Sequence, residues 1–107
     1  MVEKELNNLR VKSSANIFFN GRVISRTCYR EDGSRLTLGV ITPGIYTFSV
    51  GDKEIVRIIA GRVAVFRPED TDWVTFNAPD CFEIQANCEY RIRTDDVVEY
   101  LCDYYAD

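Results

Sequence analysis

A carboxylate and two arginines near the centre of the chain have the residue types and spacing that could do chemistry. Glu54 comes just before residues 55–59, a run that is apolar apart from Arg57, and Arg57 and Arg62 are the arginines nearest to it. A guanidinium can neutralise such a carboxylate in an ion pair, or it can bind an anionic ligand such as phosphate through its planar fork of donors. The residue types alone leave both roles open for the two arginines.

The supply of metal-binding side chains is small. The chain of 107 residues contains no histidine, and its four cysteines stand at separations that match no zinc pattern. Because zinc and transition ions favour imidazole nitrogen and thiolate sulfur, we expect no metal cofactor. The simplest role for the cysteines is that of small buried side chains; the alternative, a reactive thiol, would lack a histidine to lower its pKa. The cysteines are Cys28, Cys81, Cys88 and Cys102.

Composition and charge restrict the class of protein. The sequence is 46% hydrophobic and 28% charged, which is typical of a globular chain with one core. Its net charge of −4 argues against a nucleic-acid partner, because phosphate backbones bind clustered basic residues. Residues 1–14 contain no apolar signal sequence, and no run approaches the roughly 20 apolar residues of a membrane span. We therefore expect a cytoplasmic protein without membrane contact.

The charge is uneven along the chain. Residues 1–30 are rich in lysine and arginine, whereas residues 94–107 carry five acidic side chains and no basic one. Such runs are usually solvated surface. The alternative is that the basic and acidic ends complement each other, within one chain or between the two chains of a dimer.

Short runs of β-branched and aromatic residues alternate with turn signals such as Asn20-Gly21, Asp32-Gly33 and Pro43-Gly44. This pattern predicts an all-β sandwich or barrel, because no segment after residue 15 keeps a helical period. Residues 1–15 are expected to be a tail or a short helix, and residues 16–107 the domain itself. The predicted strands include residues 35–41, 55–59, 63–66, 81–84, 89–93 and 97–105.

A set of short motifs follows in order along residues 16–105. The Glu54-x6-Gly61 spacing matches the first cupin motif, and the whole set resembles the small single-domain cupins known as pyrimidine/purine nucleoside phosphorylases. The resemblance implies a jelly-roll β-barrel, usually a homodimer, that splits nucleosides with inorganic phosphate into free base and pentose 1-phosphate. The other motifs are Phe19-x-Gly21-x-Val23-x-Ser25, Pro43-Gly44-x-Tyr46-Thr47-Phe48, Thr71-Asp72-Trp73 and Tyr100-Leu101-Cys102-x-Tyr104.

The chain also departs from the pattern of that family. Gln85-Ala86-Asn87 stands in place of the Pro-Gly-His of the second cupin motif, and Pro79 stands in place of a glycine. Ile45 and Ile55 occupy positions where the family commonly has an acidic residue. Because these changes lie at the rim and wall of the expected cavity, the alternative function is a non-catalytic cupin that binds a small molecule or a partner.

Phosphorolysis of an N-glycosidic bond sets three chemical requirements. Donors must hold a phosphate dianion, a negative group must lie near the developing oxocarbenium ion, and the leaving base needs a hydrogen bond. An arginine suits the first requirement, a carboxylate the second and a hydroxyl or amide the third. On this resemblance Arg57 or Arg62 would bind phosphate, and Glu54 would supply the carboxylate.

Strand parity places two of these groups on one inner face. Counting from the second cupin motif, Tyr90 falls where the family pattern has a histidine, and Ile92 shares its face. Glu54 points inward together with Val56 and Ile58. We therefore expect Glu54 and Tyr90 to line one cavity as the catalytic pair.

The remaining substrate-binding candidates depend on where the first cupin motif falls. Its histidine positions correspond to Ile45 and Thr47 if the usual spacing from Gly39 holds, or to Tyr46 and Phe48 if the spacing slips by one residue. We favour Thr47 for the inner face. The expected substrate-binding residues are Thr47, Tyr46, Arg57, Arg62 and Phe82, and the alternative for Tyr46, Phe82 and Tyr90 is a place in the hydrophobic core.

Overall fold

A computed structural model describes residues 4–106. In that part of the chain eleven β-strands and one 3₁₀ turn follow one another, so the all-β prediction is confirmed. No helix among these residues has the length and apolarity that a membrane crossing requires. The elements are β1 (Arg10–Val11), β2 (Asn16–Phe18), η1 (Phe19–Gly21), β3 (Val23–Tyr29), β4 (Arg35–Ile41), β5 (Gly44–Val50), β6 (Lys53–Ala60), β7 (Arg62–Phe66), β8 (Val74–Asn77), β9 (Cys81–Ile84), β10 (Cys88–Thr94) and β11 (Val98–Tyr105).

The strands form two antiparallel sheets that enclose the core between them, as in a jelly-roll barrel. The large sheet has the order β1-β3-β4-β11-β6-β9, with β2 also paired to β3, and the small sheet has the order β5-β10-β7-β8. The chain crosses from one sheet to the other several times, so strands distant in sequence become neighbours: β11 lies between β4 and β6. This topology places β3 and β4, from the first part of the chain, in the same sheet as β11, from its last part.

The core is filled by alternate residues of strands from both sheets. Alternation follows from the strand geometry, in which successive side chains point to opposite faces. Removing such aliphatic side chains from water stabilises the fold by about 1.5–3 kcal/mol each. Fully buried examples are Ile58, Val65, Ile84, Ile92 and Val98.

The N-terminal stretch packs against the outer face of the large sheet. Leu6 and Leu9 lie against a small second cluster around Leu36. Strand β1 then pairs with the end of β3, and residues 4–15 contain no helix. These contacts give the outer face a partial cover; the domain boundary at residue 16 stays a prediction.

Candidate active site

A cavity of about 280 Å³ opens between the two sheets, close to the lower end of the volumes of small-molecule sites. Its two walls differ in chemistry. The large sheet contributes mostly polar groups, and the small sheet contributes a phenyl, a phenol and an aliphatic side chain, with Ser49 at the edge. The polar wall comprises Asn16, Ser25, Thr27, Arg35, Thr37, Glu54, Tyr100, Cys102 and Tyr104, and the apolar wall Phe48, Tyr90 and Ile92.

Glu54 lines the cavity from the beginning of β6, on the face that strand parity predicts. It is half-buried, and its Oε1 accepts a hydrogen bond from the Cys102 thiol at 3.4 Å. Burial raises the pKa of Glu54, while the Cys102 hydrogen bond and the positive charge of Arg35 oppose part of that rise. A carboxylate in this environment interacts strongly with a charge that develops nearby, because little water screens it.

Tyr90 lines the same cavity from β10, and its ring stacks on Phe48 with 5.7 Å between centroids. Burial raises the pKa of Tyr90 well above 10, so the phenol stays protonated at neutral pH. Its hydroxyl makes no hydrogen bond to any residue between 4 and 106, although no fully enclosed side-chain nitrogen or oxygen there lacks a partner. The hydroxyl oxygen must therefore be open to the cavity, where it can donate to a ligand.

Arg35 is the functional candidate that the sequence analysis misses. It begins β4, and it is the one lysine or arginine among the described residues that line the cavity. Its guanidinium carbon lies 3.9 Å from the centre of the Tyr104 ring, and its Nη2 is 3.6 Å from a carboxylate oxygen of Asp52. Stacking on one face leaves the in-plane N–H donors of the guanidinium directed sideways, which is the geometry that binds phosphate or carboxylate.

Hydroxyl groups of β4 and β11 complete the polar wall. Tyr104 and Thr37 share a hydrogen bond of 3.0 Å. Burial raises the pKa of Tyr100 to about 12 and that of Tyr104 above its ordinary value, so both phenols are protonated donors at neutral pH. Tyr100 packs over Gly39 on the neighbouring strand, where an added Cβ would lie 2.5 Å from the Tyr100 hydroxyl. A glycine at this position makes room for the phenol at the cavity wall.

The predicted inward placement of Thr47 is wrong. Thr47 is exposed on the outer face of β5, beside Ile45, and it lies opposite the exposed Arg91 of β10. Tyr46 and Phe48 point inward instead, which is the arrangement expected if the motif spacing slips by one residue. The residue count from Gly39 crosses the turn at Thr42-Pro43, and alternation does not carry through a turn.

The structure does not bring Arg57 or Arg62 to the cavity. Arg57 lies on the outer face of β6, where its Nη1 donates to the carbonyl oxygen of Pro79 at 3.2 Å. Arg62 is exposed at the start of β7 and borders an open surface depression with Asp96. Neither of these two substrate-binding candidates therefore lines the cavity that contains Glu54.

Tyr46 and Phe82 belong to the hydrophobic core and are not among the residues that line the cavity. The Tyr46 hydroxyl donates to the carbonyl oxygen of Thr42 at 2.8 Å. Phe82 stacks on Phe76 with 4.8 Å between ring centroids. For these two residues the core alternative of the sequence analysis describes the observed packing.

The cavity offers few donors for a metal. Glu54 and Cys102 are adjacent, but burial and the neighbouring Glu54 raise the pKa of the Cys102 thiol, which opposes formation of the thiolate that a metal binds. No group of three or more potential ligand side chains occurs within residues 4–106. A carboxylate and a protonated thiol fall short of the three or four ligands that zinc takes from a protein.

Solved structures share this architecture. A protein of unknown function from Acinetobacter sp. ADP1 superposes with a TM-score of 0.91 at 33% identity, covering 94% of this chain and 98% of that one. The Clostridium difficile EutQ protein, of the cupin type, superposes with a TM-score of 0.65 at 13% identity over 79% of this chain and 64% of its own. The second likeness supports the cupin-type fold alone.

Sequence comparison leads to the family. A profile described as pyrimidine/purine nucleoside phosphorylase matches residues 13–104. A curated relative from Geobacter sp. (strain M21) with the same name is 40% identical over 100 residues, which cover 94% of this chain and 97% of the relative. The matched region contains all the side chains of the cavity wall. The chain therefore belongs to the pyrimidine/purine nucleoside phosphorylase family.

Proposed function

We propose that this protein splits purine and pyrimidine nucleosides with inorganic phosphate and releases the free base and pentose 1-phosphate. The observation that carries the proposal is that one cavity contains a guanidinium, a carboxylate and an open phenol, from Arg35, Glu54 and Tyr90. These are the three kinds of group that phosphorolysis requires, and the family name of the relatives points to the same reaction.

Arg35 is the proposed phosphate ligand. Its guanidinium would bind the dianion through paired N–H donors, with the hydroxyls of Thr37 and Tyr104 close to the same wall. A phosphate oxygen would then form a bond to the anomeric carbon of the pentose while the bond from that carbon to the base nitrogen breaks. The electron pair of the broken bond leaves with the base, which becomes the free base by taking up the proton that the hydrogen phosphate dianion gives up.

Glu54 is the proposed stabiliser of the oxocarbenium-like transition state, and Tyr90 the proposed donor to the leaving base. The ionised carboxylate of Glu54 faces a positive charge that is larger in the transition state than in the substrate, so its attraction lowers the barrier. The protonated Tyr90 hydroxyl would stabilise the negative charge on the departing base. The positive charge of Arg35 would neutralise part of the negative charge of phosphate, so this mechanism needs no metal cofactor.

The test is an incubation of the purified protein with uridine or inosine, with and without inorganic phosphate, followed by chromatography of the products. We expect free base and pentose 1-phosphate in equal amounts, formed only when phosphate is present. Base release that is independent of phosphate would indicate hydrolysis instead. A lack of turnover across several purine and pyrimidine nucleosides would favour the non-catalytic binding module.

We also propose that the protein forms a homodimer through the outer face of the large sheet. Ile24, Val40 and Ile59 are 36–40% exposed there and form a continuous apolar patch. Arg26 and Glu99 border the patch, so a twofold axis through it would bring opposite charges of the two copies together. A second copy is therefore the partner that fits this face.

Sedimentation at micromolar concentration tests the dimer. We expect twice the monomer mass for the wild type and the monomer mass for Ile24→Asp, because a carboxylate in the patch would be buried without a partner. Ile45→Asp is the matched control, since Ile45 is an exposed isoleucine on the small sheet. A monomeric wild type would contradict the proposal.

We also propose that the protein is cytoplasmic, because the reducing conditions of the cytoplasm suit its four free thiols.

A further inference from the structure

Two phenylalanines at the cavity have no part in the proposed chemistry. Phe18 of β2 and Phe48 of β5 both line the cavity, and their rings meet edge to face with 6.2 Å between centroids. Phe18 remains 42% exposed, so part of its ring is free to contact a ligand. Phe48 in turn stacks on Tyr90, so the two phenylalanines extend the apolar wall outward from the proposed leaving-group donor.

The turn after β2 holds these rings in place. In a regular strand Phe18 and Phe19 would point to opposite faces. Phe19 and Asn20 instead have positive φ angles of 54° and 56°, and this turn lets Phe19 pack against Phe48 at 5.3 Å as well. A bulky residue rarely adopts such a φ, and its surroundings must hold it there. The backbone thus directs two consecutive phenyl groups toward the small sheet.

Asn16, the polar residue of β2 near Phe18, uses its side-chain amide donors in hydrogen bonds within the protein. The Asn16 amide nitrogen donates to the Ser25 hydroxyl at 3.2 Å and to the Thr27 hydroxyl at 2.9 Å. Both amide N–H groups are therefore used within the large sheet. A ligand beside Phe18 would meet phenyl faces rather than hydrogen-bond donors that distinguish one base edge from another.

We propose that Phe18 and Phe48 form a stacking subsite for the base of the nucleoside; this assignment rests on the proposed phosphorolysis. Stacking on an aromatic ring tolerates different bases, because every base has a π-face. The base would lie against the phenylalanines and within reach of Tyr90, while the pentose and phosphate face the polar wall with Glu54 and Arg35. Recognition by ring faces accounts for a site that accepts both purines and pyrimidines.

Calorimetric titration with uridine and with inosine, without phosphate, tests the subsite independently of turnover. Phe18→Ala should raise the Kd of both nucleosides about 10-fold, the scale of one lost base stack. Phe18→Tyr should keep the wild-type Kd, because it retains an aromatic face. Ile17→Ala is the matched control, since Ile17 precedes Phe18, is 66% exposed and does not line the cavity.

The outcomes separate this inference from the reaction on which it rests. Binding that depends on Phe18, in a protein that releases no base, would leave the subsite in place and overturn the phosphorolysis. Turnover by the wild type together with an unchanged Kd in Phe18→Ala would overturn the subsite alone. If Phe18→Ala does not fold, Phe18→Leu provides the same test, because it keeps the apolar volume and removes the aromatic face.

Discussion

Glu54→Gln is the substitution that separates catalysis from folding in this protein. Glutamine keeps the shape of the side chain and removes its charge. Glu54 is half-buried in the cavity wall, and its structural contact is the hydrogen bond it accepts from Cys102. A glutamine oxygen can accept the same bond, so the local packing should persist.

The expected loss of activity follows from the surroundings of the carboxylate. Removing one preorganised electrostatic contact from an active site lowers kcat by about 10²–10³, or about 2.7–4 kcal/mol. Glu54 is not fully enclosed, and the charge of Arg35 offsets part of its field. We therefore expect a decrease of about 10², with little change in the KM for phosphate.

The effect of the same substitution on stability has a defined sign. Burial raises the pKa of folded Glu54 above its ordinary value of 4.5, so the folded state binds this proton more tightly than the unfolded state. The contribution of Glu54 to the free energy of unfolding therefore falls as the pH rises from about 4.5 through the folded pKa. Glutamine does not titrate. Glu54→Gln should be more stable than the wild type at pH 8, and the difference should vanish below pH 4.5.

Initial rates of base release and thermal unfolding between pH 4 and pH 8 provide the two measurements. Glu89→Gln is the matched control, because Glu89 is an exposed glutamate on the outer face of the small sheet. It should leave both quantities unchanged. A Glu54→Gln variant with wild-type kcat, or with lower stability than the wild type at pH 8, would refute the assignment of Glu54 to catalysis.

Three further substitutions or treatments test other parts of the site. Tyr90→Phe should lower kcat about 10-fold with the melting temperature nearly unchanged, because the hydroxyl has no hydrogen-bond partner in the described chain; a wild-type kcat would remove Tyr90 from the mechanism. Gly39→Ala should lower the free energy of unfolding by about 1–3 kcal/mol in urea, because its Cβ would overlap the Tyr100 ring. The same loss in a Tyr100→Leu background would contradict that overlap. Dialysis against EDTA should leave kcat/KM unchanged, since Arg35 neutralises phosphate; a loss reversed by added zinc would oppose the proposal.

Much of the fold could be predicted because alternation and turn signals are local properties of the sequence. The predicted strands at residues 35–41 and 81–84 coincide with β4 and β9, and the other four predicted strands overlap β6, β7, β10 and β11. The motif spacing also predicts inner faces for Glu54 and Tyr90, although the count that reaches Tyr90 starts at Gln85, in the turn before β10. Within a strand each step of two residues returns to the same face, so a count is reliable there.

The sequence does not indicate Arg35 as a site residue, because β4 reverses the usual relation between polarity and burial. Its more apolar face, with Leu36 and Leu38, points away from the cavity, and Leu36 is covered by Leu6 and Leu9 from the N-terminal stretch. The face with Arg35 and Thr37 lines the cavity. A pattern-based assignment buries the leucines between the sheets and exposes the arginine. Only the long-range contact with the N-terminal stretch corrects it.

Arg35→Gln, assayed as base release against phosphate concentration, tests the central claim that this cavity performs phosphorolysis. Loss of a hydrogen-bonded ion pair to phosphate costs about 1.5–3 kcal/mol, so we predict a KM for phosphate about 10- to 100-fold higher. The KM for the nucleoside should change little. Arg62→Gln, on the outer surface, should behave as the wild type. An unchanged KM for phosphate in Arg35→Gln, or base release by the wild type that does not depend on phosphate, would contradict the account.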